Sequence, residues 1–201
     1  NGLNPIGARL PDDEAIRKAI RASSKGRLIA WDPIQRKPAW TAEFPILWNG
    51  GVLSTAGGLV FQGNGTGRFV AYDAANGRAL WEFYAQTGIV AAPATYEVDG
   101  EQYVTILAGW GGAAPLFAGE VVTQAPRDGV NRILTFKLGG TGALPPLKTV
   151  QRSLNPPELT ASTETIELGG TLYRSYCTSC HGHAVVAGGV VPDLRYSATH
   201  A

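Results

Sequence analysis

The stretch Gly26-Arg27-Leu28-Ile29-Ala30-Trp31-Asp32 recurs forty-one residues later as Gly67-Arg68-Phe69-Val70-Ala71-Tyr72-Asp73. Trp40 recurs at the same spacing as Trp81. Each copy is an alternating strand that ends in Asp, followed by a turn and a second strand that ends in Trp. A period near forty residues with this content predicts four-stranded blades of a β-propeller. Paired helices would need a 3.6-residue apolar pattern, which the repeats lack.

Further strand-forming stretches lie between glycines and are expected to continue the blades. They are Gly58–Gly63 and Gln102–Ala108, each of which we expect after a hairpin of the repeat. Asn131–Lys137 is expected to open one more blade without the rest of that blade behind it. Two blades cannot close a propeller, because each blade buries its faces against neighbours on both sides. We therefore expect the repeats to end a longer array.

The composition is that of a globular protein. Of 201 residues, 44% are hydrophobic and 16% charged, and the formal net charge of +1 excludes an extended basic field, so nucleic acid is not an expected partner. The 26 Gly and 13 Pro favour short strands and tight turns. No apolar run is long enough to predict a transmembrane segment. Asn1–Pro5 is neither an initiator Met nor a signal peptide, so we expect a mature or cut piece.

Helical patterns flank the repeats. Pro11–Arg21 has acids first, bases last and apolar residues at helical spacing, and Thr163–Tyr176 also has helical character. Between the repeats and the second helix, the sequence from Leu138 to about Pro157 is rich in Gly, Thr, Pro and Leu, which indicates an extended linker. The expected domains are therefore residues 1–137, a linker over 138–162, and residues 163–201.

The motif Cys177-Thr178-Ser179-Cys180-His181 contains both cysteines of the chain. Two thiols at this spacing can bond both vinyl groups of a haem, and the next His can bind the iron from one side. A redox dithiol or half of a zinc site is the alternative, but the dithiol does not need the His and zinc would need a second ligand pair. The motif therefore predicts covalent haem c, with Cys177 and Cys180 as attachment sites and His181 as axial iron ligand. Haem c is attached outside the bacterial cytoplasm, which predicts a periplasmic location.

The second axial ligand is not apparent in this sequence. An electron-transfer haem commonly uses Met, and the chain has none. The ligand is then absent, outside the chain, or one of His183 and His200. His183 is too close to His181 to reach the opposite haem face easily, and His200 is next to the last residue.

A second constellation combines glycines with aromatic and amide side chains. It comprises Phe44–Gly58, which contains Trp48 and Asn49, and Ala108–Ala113, which contains Trp110 and Gly111. Glycines let the backbone approach a flat ligand, and Trp or Asn can contact it. The alternative is that Trp48 and Trp110 are core residues of the propeller and that the glycines occupy turns.

Taken together, the blade repeats, Leu47–Gly51, Gly109–Gly112, the Pro-rich linker and the Cys177–His181 motif resemble the carboxyl-terminal part of the quinohaemoprotein alcohol dehydrogenases. The resemblance implies a mainly β fold: the terminal blades of an eight-bladed propeller, a linker, and the start of an α-helical cytochrome c domain. It also implies pyrroloquinoline quinone (PQQ) and calcium as cofactors besides haem c. By the same resemblance, Trp48, Asn49, Trp110 and Gly111 lie at or near the PQQ pocket.

The function that this resemblance implies is oxidation of small alcohols to aldehydes in the periplasm. Electrons would pass from PQQ to haem c and on to an external acceptor, such as a small redox protein or a quinone. The family's calcium ligands, catalytic Asp, adjacent cysteines and axial Met have no match here, so we expect no catalytic residue in this chain and no activity from it alone. A non-enzymatic propeller scaffold fused to an electron-transfer cytochrome c is the alternative.

Overall fold

Most of the regular structure is β-sheet, as expected. The computed structural model describes residues 13–110, 130–147, 153–156, 158–181, 185, 191 and 193–196. These residues divide between two compact units, one drawn from Ala22–Gly111 and Gln124–Lys148, the other from Asn1–Arg21, Gly112–Thr123 and Thr149–Ala201. The elements in chain order are α1 (Glu14–Ser23), β1 (Gly26–Asp32), β2 (Lys37–Phe44), β3 (Asn49–Ser54), β4 (Leu59–Asn64), β5 (Arg68–Asp73), β6 (Ala79–Tyr84), β7 (Ala94–Val98), β8 (Glu101–Ala108), β9 (Arg132–Lys137), α2 (Thr163–Tyr176) and α3 (Thr178–His181).

The strands form three antiparallel sheets in the first unit. Sheet A pairs β1 with β2, sheet B has the order β3-β4-β5-β6, and sheet C has the order β7-β8-β9. Sheet B is thus a four-stranded meander, the arrangement of one propeller blade. The predicted hairpin of the repeat corresponds to β1-β2 in sheet A and to β5-β6 in sheet B.

The sequence-based assignment of strands to blades needs a correction. The strand predicted over Gly58–Gly63 does not follow the first hairpin as its continuation; it is β4, which pairs with β3 and with β5. The reason is the tight turn after it, where Gly67 has φ +88° and its N–H donates to Asn64 O at 3.0 Å. The Asn64 side-chain oxygen also accepts from the Arg68 N–H at 3.0 Å, so β4 folds directly back onto β5.

The role predicted for Asn131–Lys137 was also wrong. This segment contains β9, which does not open a blade but pairs with β8 as the third strand of sheet C. The register places Phe136 opposite Val104 and Leu134 opposite Ile106, so the apolar side chains of both strands share one face. Burial of that shared face explains the pairing.

Sheets A and B pack face to face. Leu28 and Phe44 from sheet A bury their side chains against Val70 and Tyr72 of sheet B. The contact also has a polar component, because the Trp40 indole N–H donates to Ala74 O at 2.8 Å, in the turn that leads from β5 towards β6. The first hairpin is therefore held to the second by packing and by one hydrogen bond.

Sheet B packs on sheet C through its other face. Phe69 is fully buried and its ring lies 5.5 Å from that of Phe136 and 6.0 Å from that of Trp81. Phe83 is 4.9 Å from Phe136, and Ile106 completes the buried cluster. Because side chains alternate along β5, Val70 faces sheet A while Phe69 faces sheet C. The three sheets form a stack with sheet B in the middle.

Both predicted helices are present: the second has the predicted bounds, whereas the first spans Glu14–Ser23 and residues 11 and 12 of its predicted range lie outside the described residues. α1 begins next to Asp13, whose carboxylate accepts from the N–H groups of Ala15 at 2.8 Å and Ile16 at 3.1 Å. α2 has Ser162 as its N-cap, which accepts from the Thr165 N–H at 3.3 Å. Within the described ranges, no helix is long and apolar enough to cross a membrane.

The Trp40 contact yields a stability prediction. Trp40→Phe removes the hydrogen bond to Ala74 O and part of the indole packing, so we expect the free energy of unfolding to fall by about 1–2 kcal/mol in chemical denaturation. The control is Trp31→Phe, since the Trp31 side chain is 58% exposed and should change stability by less than about 0.5 kcal/mol. Equal losses in both variants would contradict this role for Trp40.

Candidate functional site

The two cysteines lie where α2 passes into α3. Cys177 is the C-cap of α2, and its N–H donates to Tyr173 O at 2.9 Å. The N–H groups of Cys180 and His181 both donate to Cys177 O, at 3.1 and 2.9 Å. The motif is therefore one hydrogen-bonded helical turn, in which residues three positions apart project from the same side.

Both thiols are available for covalent attachment. Neither Cys177 nor Cys180 is in a disulfide; Cys177 is half-buried and Cys180 is exposed. His181 is half-buried on the same turn. Two free thiols on one side of a turn, with an imidazole beside them, fit the donor set that a covalent haem requires. Whether haem is bound there stays a prediction.

Residues after the motif contribute a small cluster around Tyr173. Burial raises the pKa of the Tyr173 phenol, and the nearby Cys177 and Asp193 add to the rise, while a hydrogen bond from the Val185 backbone opposes it. Asp193 holds Arg195 in a two-point ion pair, with contacts of 2.9 and 2.7 Å. The phenol thus connects the helix that carries the motif to the segment that follows it. The other two histidines, His183 and His200, lie outside the described residues, as does Pro192.

The second constellation gathers around the turn at Gly65. Asn49 accepts from the Gly65 N–H at 3.3 Å. A Cβ added at Gly65 would lie 2.5 Å from Trp48 O and 3.0 Å from the Trp110 ring, so only glycine fits there. The structure therefore brings the Trp48 carbonyl oxygen, the Asn49 side chain and the Trp110 ring to one turn, although sixty-one residues separate Asn49 from Trp110 in sequence. Gly111 lies outside the described residues.

Trp110 is seated on the backbone of a neighbouring loop. A Cβ at Gly88 would collide with the Trp110 indole, approaching its Cζ2 atom to 2.8 Å. Gly109 N–H donates to Gly88 O at 2.8 Å, and Ile89 forms a parallel bridge with Gly109. The indole is thus supported by glycine backbone on one side.

Asn49 and Trp48 differ in what they can offer a ligand. The Asn49 amide nitrogen donates to Ile46 O at 3.0 Å and retains a second hydrogen for another acceptor. Trp48 is 41% exposed, so part of its ring is accessible. One indole, from Trp110, and one amide donor, from Asn49, beside glycine backbone fit the edge of a flat, polar ligand such as a quinone.

Sequence reasoning missed the buried Gln62 and the loop around Gly88. Gln62 donates to Gly50 O at 2.8 Å, and its buried side-chain oxygen has no partner among the described residues. A Gln in a strand is usually surface-exposed, and no sequence signal marks this one as buried. A cavity of about 420 Å³, lined in part by Val90, Leu107 and Ile133, opens beside Gly109.

In the described parts of the chain, no group of three or more His, Cys, Asp and Glu side chains is arranged to hold a metal ion.

The packing of the Trp110 indole against Gly88 gives a second stability prediction. Gly88→Ala forces a methyl group into the indole, so we expect the free energy of unfolding to fall by about 1–3 kcal/mol, with a changed near-ultraviolet circular dichroism spectrum. Gly142→Ala is the control, because a Cβ at Gly142 meets nothing within 4 Å. An unchanged stability of Gly88→Ala would show that Trp110 does not rest on this loop.

Comparisons with known proteins agree with the resemblance. Residues 24–104 match the family model of the PQQ-type glucose/ethanol/alcohol dehydrogenase β-propeller domain. The quinohaemoprotein alcohol dehydrogenase ADH-IIG of Pseudomonas putida is 50% identical over 194 residues, which is 96% of this chain and 26% of that protein. The chain thus spans about a quarter of the length of the curated relatives that it matches.

Solved structures give the same relationship. The structure of ADHIIG from Pseudomonas putida HK5 has a TM-score of 0.80 and 49% identity, covering 87% of this chain and 25% of its own. The quinohaemoprotein alcohol dehydrogenase of Comamonas testosteroni has a TM-score of 0.66 and 42% identity, covering 86% of this chain and 25% of its own. Residues 24–104 of this chain therefore belong to the β-propeller domain family of the PQQ-type glucose, ethanol and alcohol dehydrogenases, in a chain that is similar over most of its length to quinohaemoprotein alcohol dehydrogenases.

Proposed function

We propose that this chain is the electron-relay end of a periplasmic quinohaemoprotein dehydrogenase that oxidises small alcohols to aldehydes. Electrons leave PQQ for haem c and then pass to an external acceptor, a small redox protein or a quinone. Residues 1–137 form terminal blades of the propeller, 138–162 the linker, and 163–201 the start of the cytochrome c domain. The catalytic base and the calcium ligands come from segments outside this chain, so the chain alone does not turn over alcohol.

The observation that carries the proposal is the helical turn from Cys177 to His181, in the same chain as a PQQ-type propeller segment. Cys177 and Cys180 have free thiols that project from one side of the turn. They would bond the haem covalently, and His181 would bind the iron on the adjacent face.

The quinone side of the proposal rests on the residues around Gly65 and Gly88. When bound, PQQ accepts the hydride of the alcohol and haem c accepts electrons singly. Trp48 and Trp110 would supply aromatic surface to such a ligand, and the remaining hydrogen of the Asn49 amide would donate to one of its oxygens. Gly111, next to Trp110 in sequence, is proposed for the same site from the resemblance to the family. Calcium is proposed from the resemblance to the family.

Covalent attachment provides the direct test. We expect the protein, expressed in a periplasm competent for cytochrome c maturation, to retain haem on a denaturing gel and to lose it in the double variant Cys177→Ala/Cys180→Ala. Ser175→Ala, an exposed residue on α2, is the matched control and should keep its haem stain. A wild-type band without haem would rule out the attachment.

Coupling of alcohol oxidation to the haem separates the enzyme from a non-enzymatic scaffold. In the longer protein loaded with PQQ and calcium, we expect a small primary alcohol to reduce the haem. The change in haem absorbance measures this reduction. His181→Ala should abolish the reducible low-spin spectrum because the iron loses its axial ligand. A loaded protein with intact haem that no alcohol reduces would support the scaffold alternative.

A further inference from the structure

Ala85–Ile89, here called the junction loop, follows β6 and is held at both ends by the turn between β4 and β5. Ala85 N–H donates to Gly67 O at 2.7 Å, and Ile89 N–H donates to Asn64 O at 3.0 Å. Ala85 and Ile89 are fully buried, and Thr87 between them is 2% exposed. The loop is therefore a fixed part of the first unit.

Gln86 has an unusual conformation within this loop. Its φ is +63°, a left-handed value that few residues other than Gly, Asn and Asp adopt without cost. This backbone directs the side-chain amide nitrogen to Pro145 O, to which it donates at 3.1 Å. Because a proline carbonyl can only accept, the contact also determines which end of the amide faces it.

Pro145 belongs to the segment that the sequence predicts as a linker. Leu144 and Leu147 on either side of it are half-buried, whereas Ala143 and Pro146 are exposed. The segment is tied to the first unit at Pro145 by the Gln86 amide. The chain after Lys137, the last residue of β9, is therefore still attached to the first unit at Pro145.

The junction loop also contacts the candidate quinone site. Gly88, two residues after Gln86, supports the Trp110 indole. One rigid loop thus touches both the aromatic side chain proposed to contact PQQ and the start of the connection to the haem motif.

We propose that Gln86 is a positioning residue that anchors the predicted linker to the junction loop at Pro145, and so shortens the stretch of chain between the last attachment to the first unit and the helix α2 that leads to the haem motif. Eighteen residues separate Pro145 from Thr163, against twenty-six from Lys137. Because effective concentration falls with about the −3/2 power of the length of chain that joins two parts, this shortening raises it by about 1.7-fold. The anchor itself rests on the contacts above, and only its role in electron transfer rests on the proposed function.

The test compares Gln86→Glu and Gln86→Asn with the wild type in the longer PQQ- and haem-loaded protein. The carboxylate keeps the length but cannot donate to Pro145 O, and Asn tolerates a left-handed φ but is too short to reach it. Gln35→Glu, on an exposed turn, is the control for the added charge. We expect a protease that cuts before leucine to cleave Pro146–Leu147 several-fold faster in both Gln86 variants, and alcohol-driven haem reduction to slow by up to about twofold.

A dye that takes electrons directly from the quinone should report unchanged alcohol oxidation in the Gln86 variants. Wild-type cleavage rates at Pro146–Leu147 in both variants would overturn the anchor, whatever the haem does. A wild-type protein whose haem no alcohol reduces would instead contradict the proposed function, while the cleavage rates still decide the anchor. If Gln86→Glu is cleaved throughout the sheets because it unfolds, the Gln86→Asn variant decides alone.

Discussion

Burial of sheet B on both faces is the constraint on which the rest of this structure depends. Strand β5 sends Val70 and Tyr72 towards sheet A and Phe69 towards sheet C, and all three are at most 6% exposed. Trp31 in sheet A is the residue of the first repeat that corresponds to Tyr72 in the second. Its side chain is nevertheless 58% exposed. Ile133 on the outer face of sheet C is 71% exposed. Equivalent positions differ because only sheet B has a described sheet on each side, and the alternation predicts further sheets on the two outer faces.

The sequence allowed the strands to be predicted but not how they group into sheets. The recurrence of Asp32 and Trp40 as Asp73 and Trp81 marks a hairpin, because a short turn between strands leaves a local pattern. Which sheet the strand Leu59–Asn64 joins depends on the turn that follows it, and that turn depends on hydrogen bonds to the Asn64 side chain. A repeat shows where units recur; it does not show where each unit begins.

The two candidate sites differ in the same way. The haem motif was predictable because its donors lie within five residues, directly after a helix that the sequence also predicts. The packing of Trp110 on Gly88 was not predictable, since Gly88 lies twenty-two residues away and is brought to it by the Ile89–Gly109 bridge and the hydrogen bond from Gly109 N–H to Gly88 O. The left-handed Gln86 leaves no sequence signal either, because its conformation is imposed by the buried residues on both sides.

This difference implies different dependence on the fold. The turn from Cys177 to His181 is closed by its own backbone hydrogen bonds, so it needs little beyond α2 to present both thiols. The arrangement of Trp48, Asn49 and Trp110 exists only where the turn after β4, the junction loop and the end of β8 meet, and those segments are held together by the packing of sheets B and C. A loss of sheet packing would therefore disperse the candidate quinone site while leaving the haem motif intact. The two candidate sites would thus fail separately, and the one formed by residues far apart in sequence would be lost first.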